Sequence, residues 1–323
     1  MTKNKHVSFI IPHKGREEML IQTVSSILNQ SGEQATYEII VVSQNKSSNE
    51  LSKLAEQHSN VVISFQEESL TISALRNVGA AQSTGEYLAF LDADIELSQN
   101  WLNAMLSTID EQDNCVLASA AQINSPTAPP LEKIRTALSN ADLDCNVSFL
   151  PGRNLFLSRE TFEKVNGFPE HLITCEDYYF TDQVNQLGNL YYTSAATYVH
   201  LGEDKKYKEM YKKEIWRGQS NLQSISGRNI PLREIPSFII PIALPILLII
   251  FISALFTSNI EIAILALCSF LLPFALYSVR LYKLVRKETS FWRVLQFYVT
   301  YFPARVIGTL AGLFKSFSNS GVK

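Results

Sequence analysis

Gly85-Glu86-Tyr87-Leu88-Ala89-Phe90-Leu91-Asp92-Ala93-Asp94 is the stretch whose reading decides the fold. An apolar run with strand character stops at two carboxylates spaced i, i+2. Residues two apart in an extended segment point the same way. Asp92 and Asp94 are therefore expected to face one point beyond the carboxyl end of a strand, where open α/β sheets place their ligands. Two close carboxylates repel unless something positive sits between them, and a hard divalent cation suits that position. An isolated Asp-x-Asp is also read as a solvated turn, or as Asp94 capping a helix that begins near Ser98. The surrounding sequence has to weigh these readings.

Upstream, residues 7–11 are a short, fully apolar strand candidate closed by Pro12. Leu20, Val24, Ile27 and Leu28 recur at the spacing of a helix with one buried face. A second apolar strand over 37–42 runs into the polar loop 43–49. A helical pattern over 50–58, a strand over 61–65 and a helix over 71–81, carrying Arg76 and Asn77, lead back to the strand at 87–91. Strands that are apolar on both faces and alternate with helices predict a parallel sheet covered on both sides, a doubly wound α/β domain.

Downstream, residues 122–148 are proline-rich and polar, and read as a long functional or mobile loop. Strand character resumes over 149–157, around Pro151-Gly152-Arg153-Asn154. Gly167-Phe168-Pro169 makes a turn. Thr174-Cys175-Glu176-Asp177 opens a helix to about Leu187, with the Thr174 hydroxyl as N-cap and Asp177 at the third helical position, where an acid favours the helix dipole. Residues 191–201 are extended and end near His200.

The chain has 323 residues and a formal net charge of -3, which gives no reason to expect nucleic acid as a partner. Its four cysteines, Cys115, Cys145, Cys175 and Cys268, form no C-x-x-C pair and read as reduced thiols facing the cytosol. The first apolar run is too short for a signal peptide. From Pro236 to Tyr282 the only charged residues are Glu261 and Arg280. Residues 235–256 and 260–279 are each long enough to cross a bilayer of ~30 Å, and Thr257-Ser258-Asn259 joins them as a hairpin. Eight Lys/Arg precede the hairpin between Lys205 and Arg233, five follow between Arg280 and Arg293, and the hairpin turn has none, so both flanks are expected on the cytoplasmic side.

Two amphipathic segments flank this hairpin. Over 204–222, Tyr207, Met210, Tyr211 and Ile215 share a face while five lysines take the rest, which suits either anionic lipid headgroups or packing on the soluble domain. Over 291–314, Arg293, Gln296 and Thr300 line one side, and Pro303 and Arg305 favour an interfacial helix over a third span. Ala304, Gly308 and Gly312 form a small-xxx-small row suited to close helix packing or to a homodimer through the C-terminal helices.

Five stretches in order carry a family resemblance: Val7-Ser8-Phe9-Ile10-Ile11-Pro12, the strand 38–42, Ala74-Leu75-Arg76-Asn77-Val78-Gly79, the stretch 85–94, and Gly167-Phe168 followed by Glu176-Asp177. Over about Val7 to His200 the chain resembles a family 2 nucleotide-sugar glycosyltransferase of the GT-A, Rossmann-like type. The tail resembles that of membrane-attached members making cell-surface polysaccharide. The resemblance implies that Asp94 binds the Mg2+ or Mn2+ that bridges the donor diphosphate, with Asp92 near the ribose and metal. It implies Arg76 along the donor pocket, Pro12 shaping the loop under the nucleotide, Asp177 as general base for the acceptor hydroxyl and Glu176 as its supporting neighbour. His200 completes the metal site or is an ordinary core or surface histidine. The acidic residue common after the second strand is replaced here by Val42-Ser43-Gln44-Asn45, so Ser43 and Gln44 are left to meet the base, and uridine, guanosine and thymidine all stay open. The Gln-x-x-Arg-Trp motif of processive synthases is absent, which favours single-sugar transfer.

The expected organisation is a glycosyltransferase domain over 1–203, a basic interfacial linker over 204–234, a two-span hairpin over 235–281 and an amphipathic helix over 290–316. The expected function is transfer of a sugar from a nucleotide donor to a lipid-linked or growing saccharide, on the cytoplasmic face of the cell (inner) membrane, with membrane lipids as further partners. Its rivals are a polyprenyl-phosphate sugar synthase and an inactive membrane scaffold of the same fold. A transporter is disfavoured, because two spans without buried charge enclose no midplane site.

Overall fold

The computed structural model describes residues 5–31, 35–45, 49–219, 232 and 234–320. Lys46–Ser48 of the polar loop, and most of the linker after Gln219 with its Arg228 and Arg233, lie outside the described residues. Two compact units are present, Met1–Ser125 with Asp142–Gly202, and Pro126–Ala141 with Glu203–Lys323. The first unit runs β1 (Lys5–His13), α1 (Glu17–Leu28), β2 (Ala35–Ser43), α2 (Asn49–Gln57), β3 (Val61–Phe65), α3 (Ile72–Gln82), β4 (Tyr87–Leu91), β5 (Ile95–Leu97), α4 (Trp101–Glu111) and β6 (Cys115–Ile123). The chain then leaves through α5 (Pro130–Ser139) and returns as β7 (Cys145–Val147), β8 (Asn154–Ser158), α6 (Arg159–Lys164), α7 (Glu176–Asn185) and β9 (Asn189–His200).

The nine strands form one sheet in the order β3-β2-β1-β4-β8-β6-β9-β5, with β7 on β9. β3, β2, β1 and β4 are all parallel. Beyond β4 the sheet is mixed, because β8 runs antiparallel to both β4 and β6, while β6 and β9 are parallel. The strands without alternation are buried on both faces. Phe9, Ile11, Ala89 and Leu91 enter the core under α1 and α4, and Ile10, Leu88 and Phe90 enter the one under α6 and α7. Pro12 does not end β1, which continues to His13 beside β2. The β1–β4 ladder stops at Ile10, so a proline two residues further on is tolerated.

Residues 122–148 are not the irregular loop expected. Pro130 at the first helical position starts α5, a helix start that proline suits, and Leu131 and Ile134 bury its apolar face. The prolines that read as loop signals are here helix starters.

The second unit adds α8 (Tyr207–Gly218), α9 (Ile235–Phe256), α10 (Ile260–Val285) and α11 (Phe291–Ser320) to α5. The turn at Thr257–Asn259 is closed by the Asn259 side chain, which accepts from Ile262 N–H at 3.3 Å as N-cap of α10. Among the described residues three helices, Ile235–Phe256, Ile260–Val285 and Phe291–Phe314, are long and apolar enough to cross a membrane. The prolines inside them, Pro241, Pro245, Pro273 and Pro303, are of the kind membrane helices tolerate.

The buried stripe of α8 is Met210, Glu214 and Gly218. Glu214 is buried because guanidinium groups surround it: Arg135 of α5 at 3.2 Å, Arg217 at 2.6 Å and Arg305 of α11 at 3.7 Å. Arg305, which had argued against a third span, is thus paired inside the unit. Gly308 and Gly312 face the backbone of α8 and of Gln219, where a Cβ on Gly308 would come within 2.9 Å of the Gly218 Cα. The small-residue row is spent on packing within the chain, and this is why it offers no evidence for a homodimer.

Candidate active site

The end of β4 is shaped by its neighbours. Antiparallel β8 puts Asn154 opposite Leu91, and the Asp92 N–H donates to the Arg153 carbonyl at 3.0 Å. The chain then turns at Ala93-Asp94 and continues as β5. β5 pairs antiparallel with β9, setting Ile95 opposite His200, and the Leu201 N–H donates to the Asp94 carbonyl at 2.8 Å. The turn replaces the extended backbone expected, and the two carboxylates have different partners. Asp92 Oδ1 is 3.0 Å from Arg76 Nη2. Asp94, 6 % exposed, has Oδ2 at 3.1 Å from Arg16 Nη2 and Oδ1 at 3.4 Å from His200 Nε2. Asp94 caps no helix; the nearest, α4, begins at Trp101 after β5.

Arg76 is the hub of the acidic groups and not a surface residue. It is 1 % exposed and lies on α3, whose N-cap Thr71 accepts from Ala74 N–H. Besides Asp92, its guanidinium donates to Glu176 Oε1 and to the Gly152 carbonyl, each at 3.0 Å. The same group lies 4.9 Å over the Phe168 ring. Phe168 stacks on Phe180 at 4.0 Å and meets Phe90 edge-on at 5.0 Å, contacts worth about 0.5–1.5 kcal/mol each beyond burial. Asn77 clamps the Phe168 backbone from both sides, donating to its carbonyl and accepting from its N–H at 2.9 Å. The adjacent Gly167 holds φ +72°, a left-handed conformation that glycine takes without strain. Arg76 and Asn77 therefore fix the approach of α7 to the end of β4.

At the start of α7, the N-cap is Cys175 in the left-handed region, with no side-chain cap, so Thr174 does not cap the helix. A left-handed Cys175 turns the chain into the helix one residue later than the Thr174 hydroxyl would require. Glu176 and Asp177 occupy the first two helical positions, where carboxylates favour the dipole. Asp177 Oδ2 accepts from Gly152 N–H at 3.2 Å and Oδ1 from Tyr178 N–H at 2.9 Å. Burial, and then the Asp177 carboxylate, push the Glu176 carboxyl above its ordinary value despite the opposing charge of Arg76. Gly152 is thus a joint, giving its N–H to Asp177 and its carbonyl to Arg76.

At the ends of β1 and β2 the polar groups are already engaged. His13 Nδ1 lies 2.9 Å from the Ser43 hydroxyl, which also accepts from Asn45 N–H at 3.1 Å. Burial holds the His13 imidazole below its ordinary value. Gln44 donates to the Glu67 and Leu70 carbonyls at 2.8 and 3.0 Å, pinning the loop before α3. Pro12 is buried beside Val42.

Among the described residues no three His, Cys, Asp or Glu side chains are grouped as a metal cluster. Asp94 with His200 is the donor set that fits a divalent cation. A carboxylate and an imidazole suit such an ion, and the negative charge of Asp94 already attracts a cationic side chain.

Residues 8–165 match the model of glycosyl transferase family 2. Over these residues the chain belongs to glycosyltransferase family 2. The glycosyltransferase AglE of Haloferax volcanii is 27% identical over 236 residues, 71% of this chain and 77% of that protein. The poly(ribitol-phosphate) beta-N-acetylglucosaminyltransferase TarP of Staphylococcus aureus is 24% identical over 254 residues, 69% of this chain and 78% of that one. The mannosyltransferase PcManGT from Pyrobaculum calidifontis, solved with GDP-Man and Mn2+, aligns with a TM-score of 0.70 over 97% of this chain and 88% of that one, at 16% identity. At that identity the likeness shows the fold, which is GT-A.

In this glycosyltransferase six of the residues singled out from the sequence come together in two groups at the carboxyl ends of β4 and β9 and the start of α7, with Arg76 reaching in from α3. Asp94 and His200 stand together with Arg16, while Asp92, Arg76, Glu176 and Asp177 form a second, linked set. Pro12 and Ser43 lie at the ends of β1 and β2, paired with Val42 and His13. Sequence reasoning passed over Arg16, Gly152 and Arg153, whose Nη1 lies 3.3 Å from His200 Nδ1. The available signal was position, since each directly follows β1 or precedes β8 at the same sheet edge.

Proposed function

We propose that this glycosyltransferase is metal-dependent and inverting, and moves a single sugar from a nucleotide-diphosphate donor to a lipid-linked or growing cell-surface saccharide at the cytoplasmic face of the cell membrane. The observation that carries the reading is the fixed carboxylate of Asp177. It is held by the Gly152 and Tyr178 N–H groups and tied through Gly152 and Arg76 to Asp92 at the end of β4. A general base works when its orientation is set relative to the donor site. In the proposed reaction Asp177 takes the proton of the acceptor hydroxyl, whose oxygen attacks the anomeric carbon as the nucleoside diphosphate departs from the opposite face. Glu176 keeps Arg76 in place beside it.

Asp94 and His200 would hold Mg2+ or Mn2+, which supplies Lewis-acid stabilisation of the diphosphate leaving group. The GDP-Man and Mn2+ of the mannosyltransferase neighbour support this choice of donor class and ion. Ser43 and Gln44 already have protein partners, so a contact from either to the base is made beside or in place of these. A polymeric acceptor is in line with TarP, whose name specifies poly(ribitol-phosphate). Membrane attachment is supported by the bare apolar faces of α9 and α10, where Ile249, Phe256, Leu265 and Leu272 are each more than half exposed. Exposed Lys206, Lys208 and Lys212 on α8 suit anionic headgroups.

The test is nucleoside-diphosphate release from UDP-, GDP- and dTDP-sugars by the full chain in nanodiscs, with Mn2+ or Mg2+. Saccharide-bearing polyprenyl diphosphate and polyprenyl phosphate serve as separate acceptors. Release from one donor with the saccharide-bearing lipid, lost in Asp94→Ala and Asp177→Asn, is expected. Release that survives chelation or either substitution sinks the assignment, and transfer to polyprenyl phosphate alone favours the synthase reading.

A further inference from the structure

Asp94 and Arg16 meet against Gly202. A Cβ there would fall on Asp94 Oδ2 and 2.6 Å from Arg16 Nη1, so the glycine leaves room for the two side chains to pair. The carboxylate is buried, whereas the Arg16 side chain that neutralises it is 59 % exposed. Arg16 also sits at φ 40° as the N-cap of α1, directly after Gly15 at φ 69°. A non-glycine residue in this region is held by its surroundings. The loop carrying it is anchored by the Gly15 N–H, which donates to Asn45 Oδ1 at 2.7 Å.

We infer that Arg16 is a built-in stand-in cation that couples metal binding to donor binding, an inference that rests on the assignment of Asp94 as a metal ligand. With its guanidinium on Oδ2, Arg16 competes with a divalent ion for the same oxygen. An ion arriving alone has to displace it and leave two positive charges close together. A nucleoside diphosphate arriving with the ion gives the displaced guanidinium a partner, because Arg binds phosphate oxygens in the same forked geometry as carboxylate. Its exposure leaves it free to make that swing. Arg16 therefore weakens binding of the bare ion and strengthens binding of the ion with nucleotide. This coupling is reciprocal, so the ion raises nucleotide affinity by the same factor.

The experiment measures Mn2+ binding by the loss of the free-ion EPR signal, on the full chain in detergent. It is run alone and with whichever of UDP, GDP or dTDP binds best. Wild type is expected to bind Mn2+ weakly alone and roughly 10-fold or more tighter with the nucleotide, within the usual range for coupled sites. Arg16→Gln is expected to bind Mn2+ alone several-fold tighter and to show a several-fold smaller enhancement, keeping the part that the ion's own bond to the diphosphate supplies. Lys14→Gln, the same loss of charge at an exposed neighbour, should leave both within about 2-fold. An Arg16→Gln protein with wild-type Mn2+ affinity and coupling overturns the inference, as does a Lys14→Gln protein that behaves like Arg16→Gln. Asp94→Ala separates the two levels of the argument. If it loses Mn2+ while Arg16→Gln changes nothing, only the role of Arg16 fails; if it binds Mn2+ normally, the metal assignment fails and the inference with it.

Discussion

Arg76 Nη1 lies 3.0 Å from Glu176 Oε1, although the two residues are 100 positions apart. The pair closes the distance between α3 and the acidic start of α7, and the same guanidinium reaches Asp92 at the end of β4. Removing the buried guanidinium leaves the part-buried Glu176 and Asp92 carboxylates without their donor, so Arg76→Ala is expected to cost roughly 1–3 kcal/mol of stability as well as activity. Arg76→Lys keeps the charge but not the fork, and should recover stability better than turnover. Thermal unfolding and donor turnover on both variants check this. Equal recovery of both by lysine would mean that the geometry of the fork is unimportant.

Asp177→Asn preserves shape while removing the base. Turnover is expected to fall by about 10²–10⁴-fold, with donor KM within a few-fold of wild type. The amide oxygen can accept from only one of the Gly152 and Tyr178 N–H groups, so a modest stability loss of about 1 kcal/mol is expected beside the loss of turnover. A large change in donor KM with kcat preserved would place Asp177 in donor binding instead.

Glu214 gives a pH dependence of known sign. Burial alone pushes its carboxyl up, but Arg135, Arg217 and Arg305 outweigh it and hold the group below the ordinary 4.5. Its stabilising contribution is therefore complete above that value and lost as pH falls through the lower folded-state pKa. Glu214→Gln should destabilise the protein by roughly 3 kcal/mol at neutral pH. Unfolding curves taken across pH should show the difference from wild type shrinking in the acid range. A gap that stays constant to low pH would contradict the arrangement.

Gly308 offers a test by sign. At an exposed helix interior, Gly→Ala stabilises by about 0.5–1 kcal/mol. Here a Cβ would meet the α8 backbone around Ile215 and Gly218. Gly308→Ala is therefore expected to lower the unfolding temperature, while Gly→Ala that raises it would show that α8 and α11 are not in this close contact.

The first unit was readable because its strands announce themselves. Residues 9–11, 39–42, 61–63 and 87–91 are apolar runs without alternation, the pattern of a sheet with helices on its faces, and each lies within a strand of the structure. The sequence likewise singled out Asp92 and Asp94, which stand at the abrupt end of an apolar run. Residues 122–148 were opaque because Pro129 and Pro130 signal a loop and a helix start equally well, and burial by α8 and α10 chose the helix.

Sequence by itself determined which residues are apolar enough to be buried, which runs are long enough to leave water, and where acidic pairs fall along the chain. Only the tertiary structure decided who partners whom. Charge pairing is set by distance in space and not by spacing along the chain. Asp92 and Asp94, two residues apart, therefore answer to different cations, while Arg76 and Glu176 meet across the fold. The same reason buries Glu214, which reads locally as one more solvated charge on a basic helix and is held inside by three guanidinium groups from α5, α8 and α11.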